Sequence, residues 1–173
     1  MRLLAPLAAL ALLVGPAMAD YPQAVKDRLL PGYAEFDAAA AALAEKAAQS
    51  CEPATLADPF NAAWDAWLAV GWLRLGPVED QGRALAISFW PDPKGLGAKA
   101  QKALLAGDAA LLTPEAFAEQ SVAARGFFGL ERLLYPAEAP AQDTCQLIRA
   151  TAADLARMAA EIDAAWTGGY ADV

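Results

Sequence analysis

Histidine is absent from all 173 residues of this chain, and its absence excludes more chemistry than any other feature of the composition. Serine and cysteine nucleophiles that depend on an imidazole base are excluded, as is the zinc motif with two histidines on one helix face. The usual haem ligand and the attachment motif of c-type haem are missing for the same reason. Any metal site in this chain would have to be built without imidazole.

Sulfur is also scarce. Of three methionines only Met158 lies beyond the first 19 residues, which excludes a methionine-rich copper site. The two cysteines, Cys51 and Cys145, lack the Cys-x-x-Cys spacing of a metal knuckle. An even cysteine count in an exported protein favours a disulfide, so we expect Cys51 and Cys145 to be bonded. The alternative is two free thiols, one of them a ligand.

The N-terminal segment 1–19 has the three parts of a secretory signal peptide. Arg2 is followed by an apolar run over 3–14 and by the small residues of Ala17-Met18-Ala19. The run is shorter than the about 20 residues needed to span a bilayer, which favours cleavage over a permanent anchor. We expect a single mature domain over 20–173, exported to the periplasm or cell envelope and not membrane-spanning after cleavage.

Basic residues are outnumbered: 13 Lys and Arg stand against 21 Asp and Glu, for a net charge of −8. Loss of Arg2 with the signal peptide takes the net charge to −9. No basic patch is present, so nucleic acid is not an expected partner. The acidity could attract cations, although its simplest consequence is solubility.

Alternating strand patterns do not persist anywhere, whereas helical periodicity is frequent, so the predicted fold class is all-α. We expect a helical bundle of four principal helices, with a Pro/Gly-rich loop segment between the second and the third. The principal helices are predicted over 33–49, 59–75, 113–135 and 141–166, the loop over 78–97, and a short helix over 98–105. The first helix is expected to carry an apolar stripe on one face, formed by Phe36, Ala40, Leu43 and Ala47.

The third predicted helix contains ARGFFGLERLLY, an apolar stretch with two glycines three residues apart. Glycine inside a helix costs about 1 kcal/mol relative to alanine, so Gly126 and Gly129 need a reason. The favoured interpretation is close approach of another helix, with the tryptophan-rich second helix as the expected neighbour. The alternative is contact between these glycines and a ligand.

Glu131 is the acidic residue of the same stretch, and two roles are open to it. It can be a rim glutamate paired with an arginine, with Arg74 the first candidate partner and Arg83 the second. It can instead be a buried acid with a raised pKa, or one ligand of a cation.

Aromatic residues concentrate in two places. Trp64, Trp67 and Trp72 recur along the second helix and are expected in the core. Trp90 and Asp92 lie in the proline-rich turn SFWPD. This turn is interpreted as a lid over the core, with a ligand clamp as the alternative because loops often carry function.

Taken in order, AWDAWLAVGWLRLGP, SFWPD, ARGFFGLERLLY and a cysteine-bearing helix that ends in tryptophan resemble the imelysin family over 21–170. Its members are exported bacterial helical proteins tied to iron or haem acquisition and once classed as metallopeptidases. The family signature Gly-x-His-x-x-Glu falls on 126–131, where Gly126 and Glu131 match and Phe128 stands at the histidine position. Family members are usually longer, so the resemblance covers the N-terminal part of the family domain.

The resemblance implies a periplasmic imelysin-like binding module associated with iron or haem uptake. The alternatives are a metallopeptidase-like enzyme, which the missing histidine disfavours, and a structural half-module that pairs with another chain. The expected partner is another envelope protein or an iron or haem uptake component, no cofactor is predicted, and the metal-binding residues stay unassigned. The candidate site residues are Gly126, Phe128, Glu131, Arg74, Arg83, Trp90 and Asp92.

Overall fold

A computed structural model describes Gln23 and residues 25–137 and 143–170, so the predicted signal peptide lies outside the described residues. Helices account for the regular structure, with no strand in the described part of the chain, which confirms the all-α fold. A π-turn, Val25–Leu29, leads into the first α-helix. The α-helices are α1 (Leu30–Gln49), α2 (Pro53–Val70), α3 (Arg83–Ile87), α4 (Leu96–Ala106), α5 (Pro114–Ala118), α6 (Gly126–Leu134) and α7 (Cys145–Thr167).

Helix α1 is central and packs along both α2 and α7. Its predicted apolar stripe is confirmed, because Phe36, Ala40, Leu43 and Ala47 are all fully buried. Residues at this spacing lie on one face of a helix, so this face of α1 packs into the hydrophobic core. None of the helices described is long and apolar enough to cross a lipid bilayer.

A disulfide links Cys51 to Cys145 with 5.3 Å between the Cα atoms, which confirms the predicted pairing. It joins the end of α1 to the first residue of α7. At the opposite ends of these helices Tyr33 stacks on Trp166, with 5.8 Å between the ring centroids. The two contacts make α1 and α7 antiparallel neighbours.

Helix α2 begins and ends earlier than the predicted range 59–75. Pro53 occupies its first position, where a missing N–H leaves nothing unsatisfied, and Pro59 is accommodated inside the helix. The helix stops at Gly71, whose N–H donates to the Trp67 carbonyl oxygen at 2.7 Å. Trp72 therefore lies beyond the helix and is 70% exposed, which corrects its assignment to the core.

The prediction of a single helix over 113–135 was wrong. The segment is divided into α5, a 3-10 turn at Val122–Ala124 and α6. Between the turn and α6 the backbone is extended at Arg125 and then left-handed at Gly126, where φ is +64°. A left-handed residue does not continue a right-handed helix, so the chain changes direction here and α6 takes its own orientation.

The loop predicted over 78–97 holds the 3-10 turn Asp80–Gly82 and the short helix α3, which packs against the start of α6. A Cβ atom at Gly126 would collide with the backbone carbonyl groups of Ala86 and Ile87. Close approach at this glycine is thus as expected, but its neighbour is α3 and not the tryptophan-rich α2. The helix predicted over 98–105 matches α4, and the fourth matches α7 from Cys145 onward.

A candidate binding cleft between helices α2 and α6

Helix α6 is held against α4 by two polar side chains. The buried amide of Gln101 donates through Nε2 to the carbonyl oxygens of Ala124 at 3.1 Å and Gly129 at 2.7 Å. Arg132 donates through Nε to Gln101 Oε1 at 3.2 Å and through Nη2 to the Ala123 carbonyl oxygen at 2.6 Å. Buried hydrogen bonds of this kind are costly to break, so they set the position of α6.

Gly129 lies on the same side of α6. A Cβ atom there would collide with the carbonyl oxygen of Ala124 and come within 3.4 Å of Gln101 Nε2. The second glycine therefore permits close approach to α4, again not to α2. Gly126 and Gly129 both serve the packing of α6, which leaves its opposite face available.

That opposite face meets α2 around a cavity of about 220 Å³. Five of the seven residues around the cavity are aromatic, and Glu131 is the charged one. Helix α2 and the α6 segment contribute residues at helical spacings, which brings them to one side of each helix. The lining residues are Phe60, Asn61, Trp64, Phe127, Phe128, Glu131 and Tyr135.

Phe127 anchors the inner wall of this cleft and is only 1% exposed. Its ring lies 4.6 Å from that of Trp64, at an interplanar angle of 75°, and 5.9 Å from that of Phe60. It also contacts Phe36 of α1 at 6.2 Å. Such edge-to-face contacts are favourable for aromatic rings, so this wall is preformed by packing.

Phe128 and Tyr135 form the outer part of the cleft. The half-buried Phe128 ring makes an edge contact with Trp64 at 5.4 Å and stacks on Trp90 at 5.3 Å. Tyr135 is 51% exposed and its ring lies 6.2 Å from Phe60. The cleft therefore opens to solvent along an aromatic rim.

Trp90 is 69% exposed and covers Phe128 from the solvent side, so it is not the core lid that was expected. Asp92 lies outside the cleft and accepts hydrogen bonds from the N–H groups of Leu96 and Gly97, both at 2.8 Å. The Gly97 and Leu96 hydrogen bonds hold the pKa of Asp92 below its usual value. Asp92 thus caps the start of α4, as carboxylates commonly do.

The two arginines proposed as partners of Glu131 lie elsewhere, so that pairing was wrong. Arg74 faces Glu79 at 3.8 Å, with both side chains about half exposed, and Arg83 pairs with Glu161 at 2.9 Å. Glu131 is itself exposed. In residues 25–137 and 143–170 it has no salt-bridge partner within 4.0 Å.

An ion-pair network with a buried Arg125–Asp154 pair at its centre, not predicted from the sequence, lies on the other side of α6. Arg125 is bidentate to Asp154, with Nε to Oδ2 at 2.8 Å and Nη2 to Oδ1 at 3.2 Å. Arg157 contacts the same carboxylate at 2.7 Å and Glu161 at 2.6 Å, and Glu161 also pairs with Arg83. Hydrogen bonds from Arg157 and Arg83 outweigh the effect of burial and lower the pKa of Glu161.

The sequence carried a signal for this network. Asp154 falls between Thr151 and Met158 at helical spacing, on the buried face of α7. A carboxylate on such a face needs a cationic partner, and Arg125 could have been proposed for it. The cleft had a similar signal, because Phe60 and Trp64 are four residues apart, as are Phe127 and Glu131.

Chemically, the cleft offers aromatic walls and one carboxylate. No group of three or more His, Cys, Asp or Glu side chains in the described part of the chain could hold a metal ion. Aromatic walls bind apolar groups and, through their ring faces, cations. The geometry therefore suits recognition of a small group.

The comparisons with known proteins agree with this fold. No curated protein matches the sequence. An imelysin-like protein from Psychrobacter arcticum 273-4 has a similar solved structure, with a TM-score of 0.77 and 24% identity over 87% of this chain. The chain spans 50% of that protein, about half its length. The sequence model of the family Imelysin (Peptidase M75) matches residues 29–173, so this chain belongs to the imelysin family.

Proposed function

We propose that this protein is an exported, periplasmic binding module that takes a ligand in the cleft between α2 and α6 and acts within iron or haem uptake. The observation that carries the proposal is the motif glutamate, Glu131, which lies beside five aromatic side chains and has no ion-pair partner among residues 25–137 and 143–170. The link to iron or haem rests on the family resemblance. Export rests on the features of segment 1–19.

Binding is a better-supported role than peptide hydrolysis. A metallopeptidase needs a metal-bound water and a positioned base. The chain has no histidine, and Phe128, at the signature's histidine position, contributes a ring to the cleft wall. Glu131 alone supplies one carboxylate, which is too little for the catalytic zinc sites known in peptidases.

The dimensions of the cleft limit how a ligand can be held. Its volume of about 220 Å³ is below the about 300–1,000 Å³ of sites that enclose drug-sized molecules. A ligand would insert one ring or head group and leave the remainder outside. A macrocycle such as haem would instead lie against the exposed Trp90, which stacks on Phe128.

The experiment is a titration of the mature protein with haemin and with a ferric chelate, followed by visible absorbance and tryptophan fluorescence. We expect saturable binding that Trp90→Ala weakens and that Trp72→Ala, a substitution of an exposed tryptophan outside the cleft, leaves unchanged. Binding of neither compound would refute the role in iron or haem uptake. Hydrolysis of casein on addition of zinc would refute a purely binding role.

A structural half-module is the second candidate. The chain covers half of the similar solved protein, Leu68 of α2 is 54% exposed, and Trp72, four residues further along the chain, is 70% exposed. Exposed apolar side chains that lie together are typical of interaction surfaces. Light scattering of the purified mature protein tests this role: a stable dimer supports it, whereas a monomer at high micromolar concentration counts against self-association.

A further inference from the structure

We propose that the cleft between α2 and α6 recognises a quaternary ammonium group, held by aromatic rings and by the carboxylate of Glu131. This inference rests on the proposed function only in using the same cleft as the ligand site. It adds the chemical class of the ligand, a small organic cation. Three properties of the cleft carry it: the walls, the charge and the size.

The walls come first. Rings from both helices surround the cavity: Phe60 and Trp64 from α2, Phe127 and Phe128 from α6, and Tyr135 directly after α6. Trp64 lies at 75–80° to both phenylalanine rings, so the rings that line the cavity face different directions instead of stacking into one flat surface. Enclosure by several aromatic rings is the arrangement that binds quaternary ammonium ligands, because ring faces attract positive charge.

The charge of the cleft has one sign. Among the residues that line the cleft, Glu131 is the one with an ionisable carboxylate. The neighbouring Arg132 donates hydrogen bonds on the other side of α6, to Gln101 Oε1 and to the Ala123 carbonyl oxygen. The whole chain carries −8, which adds a general attraction for cations. An anionic ligand would meet a carboxylate without a compensating cation, so anions are disfavoured.

The size of the cavity separates cations from one another. A compact ammonium or metal ion is strongly hydrated and gains little from apolar walls. A trimethylammonium group spreads its charge over methyl groups that pack against rings, and it fits within about 220 Å³. The opening at Tyr135, which is 51% exposed, lets the rest of the ligand extend into solvent.

The test measures binding of choline to the mature protein by calorimetry, with the neutral choline analogue that has a tert-butyl group in place of trimethylammonium. We expect choline to bind about tenfold tighter than its neutral analogue, within the range that cation–π interactions produce. Equal affinity for both would overturn the proposal, while leaving the cleft as a ligand site. Haemin binding without binding of either choline or phosphatidylcholine vesicles would also overturn it, and would leave the role in haem uptake standing.

Single substitutions test whether choline binds in the cleft. Glu131→Gln should weaken choline binding about threefold to fivefold, as expected for an exposed charge contact, and Tyr135→Leu by a similar factor. Both positions are exposed, so folding should be unaffected. Glu115→Gln is the matched control, since it removes an equal charge from exposed α5 outside the cleft. Equal weakening by the Glu115 and Glu131 variants would overturn the assignment to the cleft.

Two sources could supply the ammonium group, a free solute or a lipid head group. Vesicles of phosphatidylcholine and of phosphatidylglycerol distinguish them. Binding of free choline assigns a solute, whereas Glu131-dependent binding to phosphatidylcholine vesicles alone assigns a lipid. Equal binding to both kinds of vesicle, without binding of free choline, would contradict recognition of the ammonium group.

Discussion

The two sides of helix α6 handle charge in opposite ways. On the α7 side Arg125 and Asp154 are 6% and 5% exposed, and their charged groups are satisfied by each other and by neighbours. On the α2 side Glu131 is exposed among aromatic rings without an ion-pair partner in the described residues. A buried, fully paired charge positions structure, whereas a charge left beside apolar walls can meet a ligand.

The difference is also one of how strongly each side is fixed. The α7 side has the disulfide, the ion-pair network and the long contact with α1. The cleft side has ring contacts and opens to solvent at Tyr135. Substitutions should therefore affect folding on the first side and binding on the second.

The largest effect expected is loss of the disulfide on the α7 side. Replacement of both Cys51 and Cys145 by serine should lower the free energy of unfolding by about 4–5 kcal/mol, because the bond closes a loop of 94 residues. Urea unfolding of wild type and variant measures the loss. Equal stability would show that the cross-link contributes nothing, and wild-type protein that alkylates readily without reductant would contradict the bond itself.

Arg125→Ala should cost about 3 kcal/mol, at the low end for a broken buried ion pair, because the Asp154 carboxylate loses its bidentate partner but keeps Arg157. Thermal and urea unfolding provide the measurement. The control is the double variant Arg125→Met with Asp154→Leu, which removes both charges and should lose less. A single variant as stable as wild type would mean that the network does not position α6.

Neighbouring phenylalanines offer a matched pair at the boundary between the two sides. Phe127→Ala should destabilise by about 3–5 kcal/mol through the cavity it leaves, since the ring is 1% exposed. Phe128→Ala removes a half-buried ring and should cost about half as much or less. Equilibrium unfolding measures the loss of stability for both variants. A larger loss for Phe128→Ala than for Phe127→Ala would show that Phe128 is the residue packed in the core.

The smallest effect on stability is expected at Glu131. Both Glu131→Gln and Glu131→Ala should stay within about 0.5 kcal/mol of wild type, as for exposed sites generally. A loss of about 3–5 kcal/mol would instead indicate the buried ion pair that the sequence suggested. Melting temperatures of the Glu131 variants, measured together with that of Arg125→Ala, therefore compare the two sides of α6 directly.

Features that depend on periodicity along one helix were predictable. The stripe of α1 that contains Phe36 and Leu43 is buried as expected, and the cysteine count led to the correct bond. These features need only the helical repeat and the expectation that an even number of cysteines pairs in an exported chain. The all-α fold follows from the same repeat.

Features that depend on tertiary contacts were not predictable to the same degree. The glycine at position 126 lowers helical propensity without showing that the helix is broken there, yet the chain packs against α3 through a left-handed turn at this residue. Trp64 and Trp72 were both assigned to one helical stripe, but α2 ends at Gly71 and Trp72 lies beyond it, exposed. The partners of Glu131 were misplaced because Arg74 and Arg83 lie on other surfaces.

The left-handed turn at Gly126 bears on how the family signature can be used. Any other amino acid there would be strained by the φ of +64° and would also strike the backbone at Ala86 and Ile87. The first residue of the signature, Gly126, is thus required by the fold. We expect it to be retained even in a chain that binds no ligand. The fold places no such constraint on the side chain of Glu131. Two chains that share the glycine can be expected to share a backbone turn, whereas inference of a common ligand has to come from residues such as Phe128 and Glu131.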